Sequence, residues 1–234
     1  AKSMKKMCLK HLEDQVKDPE MRALLTPDFE PGCKRILISD DYYPALIQPN
    51  VEVIRQGVKE ITPRGVVGDD GVEHACDVII YATGFQSTEF LTPMQVHGRA
   101  GVSLNEVWKD GAEAYKGVAV PGFPNFFLLY GPNTNLGHNS IILMVERQLE
   151  YVIQAIGRIA AKEVAALDVK PEAMKAYNDK LQADLGKTVW AGDCASWYKT
   201  ESGKVTNNWS GKTTEYAAIM RKFDPDSWQV IPAD

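Results

Sequence analysis

The run DVIIYATGF, residues 77–85, decides the fold class of this chain. Five apolar residues follow Asp77 without interruption, and the run stops at Thr83 and Gly84. A continuous apolar run of this length is typical of a strand that is buried on both faces, as at the centre of a sheet covered by helices. The sequence therefore predicts an α/β protein with a central strand at residues 77–82.

A second apolar run, FFLLY at residues 126–130, predicts another central strand. It opens into the polar loop GPNTNLGHNS, residues 131–140, after which a helix is expected. The apolar positions of that helix step by three and four residues, which predicts one buried face along about five turns. Its members are Ile142, Val145, Leu149, Val152, Ile153, Ile156, Ile159 and Ala160.

The loop at residues 131–140 occupies the kind of junction at which α/β sheets bind ligands. Unpaired N–H groups and the dipole of the following helix favour an anion or a partly negative carbonyl at that place. An equally good interpretation is that Asn135, Asn139 and Ser140 only cap the helix.

Local signals predict the remaining elements. We expect helices at residues 4–16, directly after Asp18, and at residues 171–185. Strands are expected at residues 36–39 and 51–54, separated by a turn at residues 42–44. A hairpin of residues 62–67 and 72–74 is expected around a turn at residues 68–71.

The charge and the apolar runs exclude several classes of partner. Lys and Arg number 26 against 31 Asp and Glu, and this net charge of −5 argues against nucleic acid. The apolar runs are far shorter than the roughly 18 residues of a membrane span. Residues 1–10 contain four lysines but no apolar core of a signal peptide. We therefore expect a cytoplasmic protein without a membrane span.

The four cysteines stand at positions 8, 33, 76 and 194. No two of them have CxxC spacing, so the sequence predicts neither a metal site nor a thioredoxin-like redox pair. The expectation is that all four are free, buried thiols in a reducing cytosol.

The glycines exclude a phosphate loop within this chain. No two of the 18 glycines are separated by a single residue, so GxGxxG does not occur. Gly117 and Gly122 have the spacing of a P-loop, but Phe123 stands where that motif needs lysine. If the chain binds a nucleotide, it uses another part of the site.

Two further segments carry residues suited to a site. Lys34 and Arg35 are adjacent, and neighbouring side chains of an extended backbone point in opposite directions, so one could bind a phosphate and the other a reacting group. The segment CASWY at residues 194–198, followed by Gly203 and Lys204, suits a lid over a flat aromatic ligand. The alternatives are a solvated basic pair and a tryptophan packed on the surface.

Four segments in this order resemble the class B flavoprotein monooxygenases, and within them the Baeyer–Villiger monooxygenases of the hydroxyacetophenone and phenylacetone type. Residues 77–85 are similar to the strand by which these enzymes cross from the NADPH domain to the FAD domain, and residues 131–140 to the loop that meets the flavin ring. Residues 32–35 resemble the segment of the catalytic arginine, and residues 194–204 the mobile segment whose tryptophan closes over NADP. Because both GxGxxG motifs of the family are missing, the resemblance is to the C-terminal half of such an enzyme.

The resemblance implies a fold, a reaction and a set of site residues. The fold is the C-terminal half of a flavoprotein with two dinucleotide-binding domains, ending in a helical, loop-rich region. Residues 1–80 would be the end of the NADPH domain, 81–165 the returning part of the FAD domain, and 166–234 the lid region. The reaction inserts one oxygen atom from O2 into a ketone and gives an ester or lactone.

Arg35 would stabilise the negative charge that develops in the reaction, and Lys34 would bind the 2′-phosphate of NADPH. The other residues that the resemblance places at FAD or NADP are Ala82, Thr83, Gly84, Asn135, Leu136, His138, Asn139 and Trp197.

Two other interpretations remain open at this point. The parent enzyme could be a flavin monooxygenase that oxygenates nitrogen or sulfur. Alternatively, the chain could be an inactive binding or assembly module that docks onto a missing N-terminal half or onto itself.

Overall fold

The computed structural model describes residues 2–232, which form two compact units. The first unit comprises the described residues up to Pro31 together with Ile36–Phe85. The second comprises Gly32–Arg35 and the chain from Gln86 onward. The four residues that include Lys34 and Arg35 are thus part of the second unit.

The first unit holds three helices and one antiparallel sheet. Its elements are α1 (Lys2–Gln15), α2 (Pro19–Leu25), α3 (Tyr42–Leu46), β1 (Val58–Thr62), β2 (Gly65–Gly68) and β3 (Glu73–Ala75). The predictions of α1 and α2 are confirmed. Asp18 caps α2 because its carboxylate accepts a 2.8 Å hydrogen bond from the Glu20 amide, and Pro19 occupies the first turn.

The sheet has the order β1-β2-β3, with both pairs antiparallel. The predicted turn at residues 68–71 is confirmed, and Gly71 adopts a φ of +81° there. The predicted single strand at residues 62–67 is wrong, because the chain reverses between Thr62 and Gly65, which pair with each other. Gly65 is required at that reversal, since a Cβ would lie 2.0 Å from the His74 carbonyl oxygen.

The predicted strands at residues 36–39, 51–54 and 77–82 do not form, and the expected turn at residues 42–44 is the start of α3. Ile38 is 99% exposed and Ile80 is 87% exposed. A strand exists only where a neighbouring backbone pairs with it, and the described residues offer these runs no such neighbour.

The second unit contains four helices, a two-stranded antiparallel sheet and short 3₁₀ turns. Its elements are α4 (Leu104–Val107), α5 (Ile141–Ala160), β4 (Ala166–Val169), α6 (Pro171–Leu185), α7 (Thr213–Met220) and β5 (Trp228–Ile231), with β4 paired to β5. The predictions of α5 and α6 are confirmed. The strand predicted at residues 126–130 is wrong: this segment is irregular, and its Leu128 amide bonds to the Val118 carbonyl at 2.9 Å.

Helix α5 buries a different face from the predicted one. Met144, Gln148, Tyr151 and Ala155 are buried toward α7 and β4. Of the predicted face, Val152 is buried, whereas Ile142, Leu149, Ile153 and Ile156 are exposed. Periodicity could not choose between two largely apolar faces. Gln148 is accommodated because its side chain accepts from the Tyr130 amide at 2.7 Å and donates to the Tyr216 hydroxyl at 2.9 Å.

The cysteine expectation is wrong in two respects. Cys33 and Cys194 form a disulfide with their Cα atoms 6.5 Å apart, and Cys8 and Cys76 are free but exposed. The bonded residues are separated by 161 positions in sequence, so only the folding of the second unit brings them together.

The search for membrane spans gave a negative result over the described residues: no helix combines the length and apolar character needed to cross a bilayer.

Candidate functional site

A cleft of about 430 Å³ lies within the second unit. Its volume falls in the range of about 300–1,000 Å³ that is typical of small-molecule sites. The walls come from segments far apart in sequence and are formed by Arg35, Ser87, Phe90, Tyr130, Gly131, Asn135, Ile141, Trp197 and Asn207. They combine one cation, several apolar or aromatic surfaces and a few amide and hydroxyl groups.

Arg35 is anchored to the loop at residues 131–136, which also lines the cleft. Its Nη1 donates a 3.1 Å hydrogen bond to the carbonyl oxygen of Leu136. A guanidinium carries five N–H donors, so this bond leaves donors for a ligand. The residue therefore supplies a permanent positive charge whose position is set by a backbone contact.

The loop at residues 131–136 is held rigidly by a buried backbone pairing. The amides of Asn133 and Asn135 donate to the carbonyls of Thr206 and Asn207 at 2.7 and 2.9 Å. The Trp209 amide in turn donates to the Asn135 carbonyl at 2.9 Å. The chain around residue 207 thus acts as a partner strand for the loop.

The Asn135 side chain has a fixed orientation in the cleft. Its Nδ2 donates to Asn208 Oδ1 at 2.9 Å, and its Oδ1 accepts from the Tyr130 hydroxyl at 3.0 Å. Burial raises the pKa of the Tyr130 hydroxyl, while the charge of Arg35 acts in the opposite direction. The Tyr130 hydroxyl, protonated at neutral pH even at its usual pKa, donates to Asn135.

The close approach of the loop to its neighbours depends on two glycines. A Cβ on Gly131 would lie 2.3 Å from the Gly117 carbonyl oxygen. Gly117 has a φ of +71°, and a Cβ there would lie 2.1 Å from the Thr134 methyl carbon. Neither position accepts a side chain without displacing the loop.

Trp197 forms one wall of the cleft and is fixed through its backbone. Its carbonyl oxygen accepts hydrogen bonds from Ser87 Oγ at 2.5 Å and from Asn207 Nδ2 at 2.6 Å. The residue itself is 43% exposed, with its ring beside that of the buried Tyr198. An indole in this setting offers a flat surface to a ligand.

No family model matches the chain, but comparison with known proteins finds relatives in sequence and in structure. The sequence is 42% identical to a Baeyer–Villiger monooxygenase of Pseudomonas aeruginosa over 231 residues, which is 98% of this chain and 44% of the relative. It is 43% identical to a Baeyer–Villiger monooxygenase of Streptomyces coelicolor over 218 residues, or 92% of this chain and 42% of the relative. The fold matches the crystal structure of OTEMO in complex with FAD and NADP with a TM-score of 0.87 and 26% identity, over 98% of this chain and 44% of that one.

The chain is homologous to the C-terminal portion of Baeyer–Villiger monooxygenases. It spans less than half the length of these relatives. The predicted fold class, an α/β flavoprotein half with a loop-rich helical end, is confirmed by this match.

The structure brings together some of the residues that the resemblance to these monooxygenases singled out. Arg35, Asn135 and Trp197 line one cleft, and Leu136 contributes the carbonyl that holds Arg35. Lys34 is exposed next to Arg35 and is outside the set of residues that line the cleft.

His138 and Asn139 are exposed and also lie outside the lining of the cleft. Asn139 donates to Thr213 Oγ1 at 3.2 Å and accepts from the Ser140 amide at 2.7 Å. Ser140 caps α5 by accepting from the Ile142 amide. The capping interpretation therefore describes the second half of the loop, and the ligand interpretation suits the first half.

Ala82, Thr83 and Gly84 belong to the first unit, where all three are exposed. Gly84 has a φ of +93°, a conformation that few other residues adopt.

Sequence reasoning missed Ser87, Phe90 and Asn207 as parts of the cleft. None of them lies in a motif, and each reaches the cleft through contacts between distant segments. Tyr130 could have been predicted as a cleft residue from the sequence, because it is the last residue before the polar loop.

Proposed function

We propose that this chain is the C-terminal part of an FAD- and NADPH-dependent Baeyer–Villiger monooxygenase, which inserts one oxygen atom from O2 into a ketone to give an ester or lactone. The observation that carries the proposal is the position of Arg35 in the cleft, anchored to the 131–136 loop and lining the same cleft as Trp197. The relatives with the same C-terminal portion carry the corresponding name.

The side chains that line the cleft suit the ring systems of FAD and NADP. Phe90, Ile141 and Trp197 offer apolar and aromatic surfaces, and Arg35 offers a charge for a negatively charged group. The chain has no GxGxxG, so residues outside it would hold the cofactor phosphates. When bound, FAD reduced by NADPH would supply the activated oxygen.

Arg35 would stabilise the negative charge that builds up on the oxygen atoms during attack on the ketone. Its bond to Leu136 places the guanidinium before the reaction begins. Such preorganised charge stabilises a transition state without reorganisation. Lys34, exposed beside it, would bind the 2′-phosphate of NADPH.

The remaining roles are part of the same proposal. Asn135, Leu136, His138 and Asn139 would contact the flavin, and Trp197 would close over NADP. Ala82, Thr83 and Gly84 would form the crossing to the FAD domain, with Rossmann-like domains at 1–80 and 81–165 and a lid at 166–234.

The exposed apolar surfaces support a missing N-terminal half as a partner. Leu37, Ile38 and Ile80 in the first unit are more than 80% exposed, and α5 exposes Ile142, Leu149, Ile153 and Ile156 in the second. Apolar surface of this extent favours association, either with the rest of the enzyme or between copies of the chain. Use of NADPH argues for a cytoplasmic enzyme, and a small ketone is the expected substrate.

A chimaera tests the proposal directly. The matching portion of the Pseudomonas aeruginosa relative is replaced by this chain, and the purified protein is offered NADPH, O2 and a panel of cyclic and aryl ketones. We expect bound FAD, NADPH-dependent O2 uptake and ester or lactone in the product mixture analysed by gas chromatography.

The intact Pseudomonas relative is the matched control. Oxidation of amines and sulfides without any ester would favour a nitrogen- or sulfur-oxygenating enzyme. A folded chimaera that holds FAD but consumes no NADPH would favour the inactive binding module.

A further inference from the structure

The disulfide between Cys33 and Cys194 joins the two segments that bring Arg35 and Trp197 to the cleft. Cys33 lies two residues before Arg35, and Cys194 lies three residues before Trp197. The bond therefore connects two segments at positions two and three residues away from side chains that line one cleft.

Few other contacts hold the segment that precedes Trp197. Gly192, Asp193 and Ala195 are exposed, and the hydrogen bonds of this segment are local, such as that from the Gly192 amide to the Val189 carbonyl. Tyr198, by contrast, is buried, and its carbonyl accepts from the amides of Thr206 and Asn207. The disulfide is the main tertiary attachment of residues 192–196.

The segment of Arg35 carries the other end of the same bond. Gly32 adopts a φ of +92°, and a Cβ there would lie 3.4 Å from Val189, so the backbone passes close to the start of the Trp197 segment. Beyond the disulfide, Arg35 is held by its bond to Leu136. The disulfide and the bond of Arg35 both attach residues 32–35 to the rest of the second unit.

We propose that Cys33 and Cys194 form a reversible redox link that ties residues 192–196, next to the Trp197 wall, to the Arg35 segment, so that reduction frees residues 192–196 at the edge of the cleft. A cytoplasmic disulfide is commonly redox-sensing, and the location proposed above exposes the bond to thiol reductants. The effect on catalysis rests on the proposed function, whereas the link and its effect on mobility do not.

The chemistry is a thiol–disulfide exchange with a dithiol as reductant. A thiolate of the dithiol attacks Cys194 Sγ, because Cys194 is partly exposed and Cys33 is buried. The Cys33 sulfur leaves as a thiolate and takes up a proton. The second thiol of the reductant then displaces Cys194 Sγ, which leaves two protein thiols and one cyclic disulfide.

Differential alkylation tests the link in the chain as it exists. The protein is unfolded in guanidinium chloride without reductant, treated with iodoacetamide, and digested for mass spectrometry. We expect Cys8 and Cys76 to be alkylated, and the peptides of Cys33 and Cys194 to appear joined until dithiothreitol is added. Alkylation of Cys33 and Cys194 without reductant would overturn the proposal.

Hydrogen exchange tests the consequence. Reduction by dithiothreitol is expected to raise the exchange of the amides at 192–197 roughly tenfold and to raise that at 32–35 as well, with α6 unchanged. A Cys8→Ser, Cys76→Ser variant should respond in the same way, and a Cys33→Ser, Cys194→Ser variant should exchange rapidly with or without reductant. Unchanged exchange at 192–197 in reduced wild type would refute the proposal, even where the serine variant fails to fold.

Discussion

The proposed chemistry depends mainly on one side chain, that of Arg35. Its guanidinium is anchored by the Leu136 carbonyl and lines a cleft with aromatic walls. Lysine could supply a charge at this place but not the planar fork that bonds Leu136 and a ligand at once. The identity of the residue, and not only its charge, should matter.

In the chimaera, Arg35→Ala should still allow NADPH to reduce the flavin but should lower the yield of ester by at least roughly a hundredfold, the effect of removing one preorganised charge from a transition state. Flavin bleaching at 450 nm, about the usual absorption maximum of the oxidised ring, and ester by gas chromatography are measured on the same sample. Arg35→Lys should recover little of the lost ester. A normal ester yield in the alanine variant would contradict the assignment.

Asp224 is a half-buried carboxylate surrounded by several polar groups of the second unit. It accepts a 2.8 Å bond from Lys116 Nζ, and the hydroxyls of Tyr115 and Tyr151 also donate to it. Burial raises the pKa of Asp224, but these hydrogen bonds outweigh that effect and leave the pKa below its usual value. The ammonium of Lys116 also lies 4.6 Å from the centre of the Tyr151 ring.

Asp224→Asn should lower the free energy of unfolding by about 2 kcal/mol, because it leaves the buried ammonium of Lys116 without its counter-charge. The loss is not larger because Asp224 itself is partly solvated. Because the pKa is lowered in the folded state, the carboxylate stabilises the protein above its unfolded pKa and loses this effect as the pH falls through the folded value. Urea unfolding at pH 7 and near pH 3 should therefore show the difference from wild type shrinking in acid. The exposed Asp226→Asn is the control, and a difference that grows in acid would contradict the argument.

Helix α5 shows how a single element can serve two surfaces. Its buried face carries Gln148 and Tyr151, which bond to the surrounding chain, while a second apolar face is open to solvent. The open face has the composition of an interface and no covering residues among those described.

Replacing Ile153 and Ile156 by glutamine should change the free energy of unfolding by less than about 0.5 kcal/mol, since both residues are largely exposed. The same double substitution should reduce self-association of the chain, measured by sedimentation velocity over a range of concentrations. Glu150→Gln, on the exposed side of the helix, serves as the control. A loss of more than about 2 kcal/mol would show that the face is packed within this chain.

At the scale of the whole molecule, this chain would supply only one part of the proposed enzyme's cofactor site. This chain holds a cleft with apolar walls and one guanidinium, and its sequence contains no GxGxxG phosphate loop. The relatives it matches are more than twice as long.

The chain alone should therefore bind FAD weakly, because phosphate contacts at a helix N-terminus supply much of a dinucleotide's affinity. In equilibrium dialysis at micromolar FAD we expect far less than one equivalent retained, against one equivalent for the chimaera. Tight, stoichiometric binding by the isolated chain would contradict the division.

The sequence alone determined the elements that depend on neighbours in the chain. The bounds of α5 and α6, the Asp18 cap of α2 and the turn at residues 68–71 follow from periodicity, capping and glycine, all of which act over a few residues. The order of the four motifs also carried the resemblance that the comparisons confirmed.

Only the tertiary structure decided which face of α5 is buried, which cysteines pair, and that Ser87, Phe90 and Asn207 join Arg35 in one cleft. It also showed that the apolar run at residues 77–82 has no strand beside it among the described residues. These outcomes depend on contacts between residues far apart in sequence, from 68 positions for Gln148 and Tyr216 to 161 for the two cysteines, or on the availability of a partner backbone. Local sequence determines the tendency to form a helix or strand, but burial and strand pairing depend on the residues that surround that element in space.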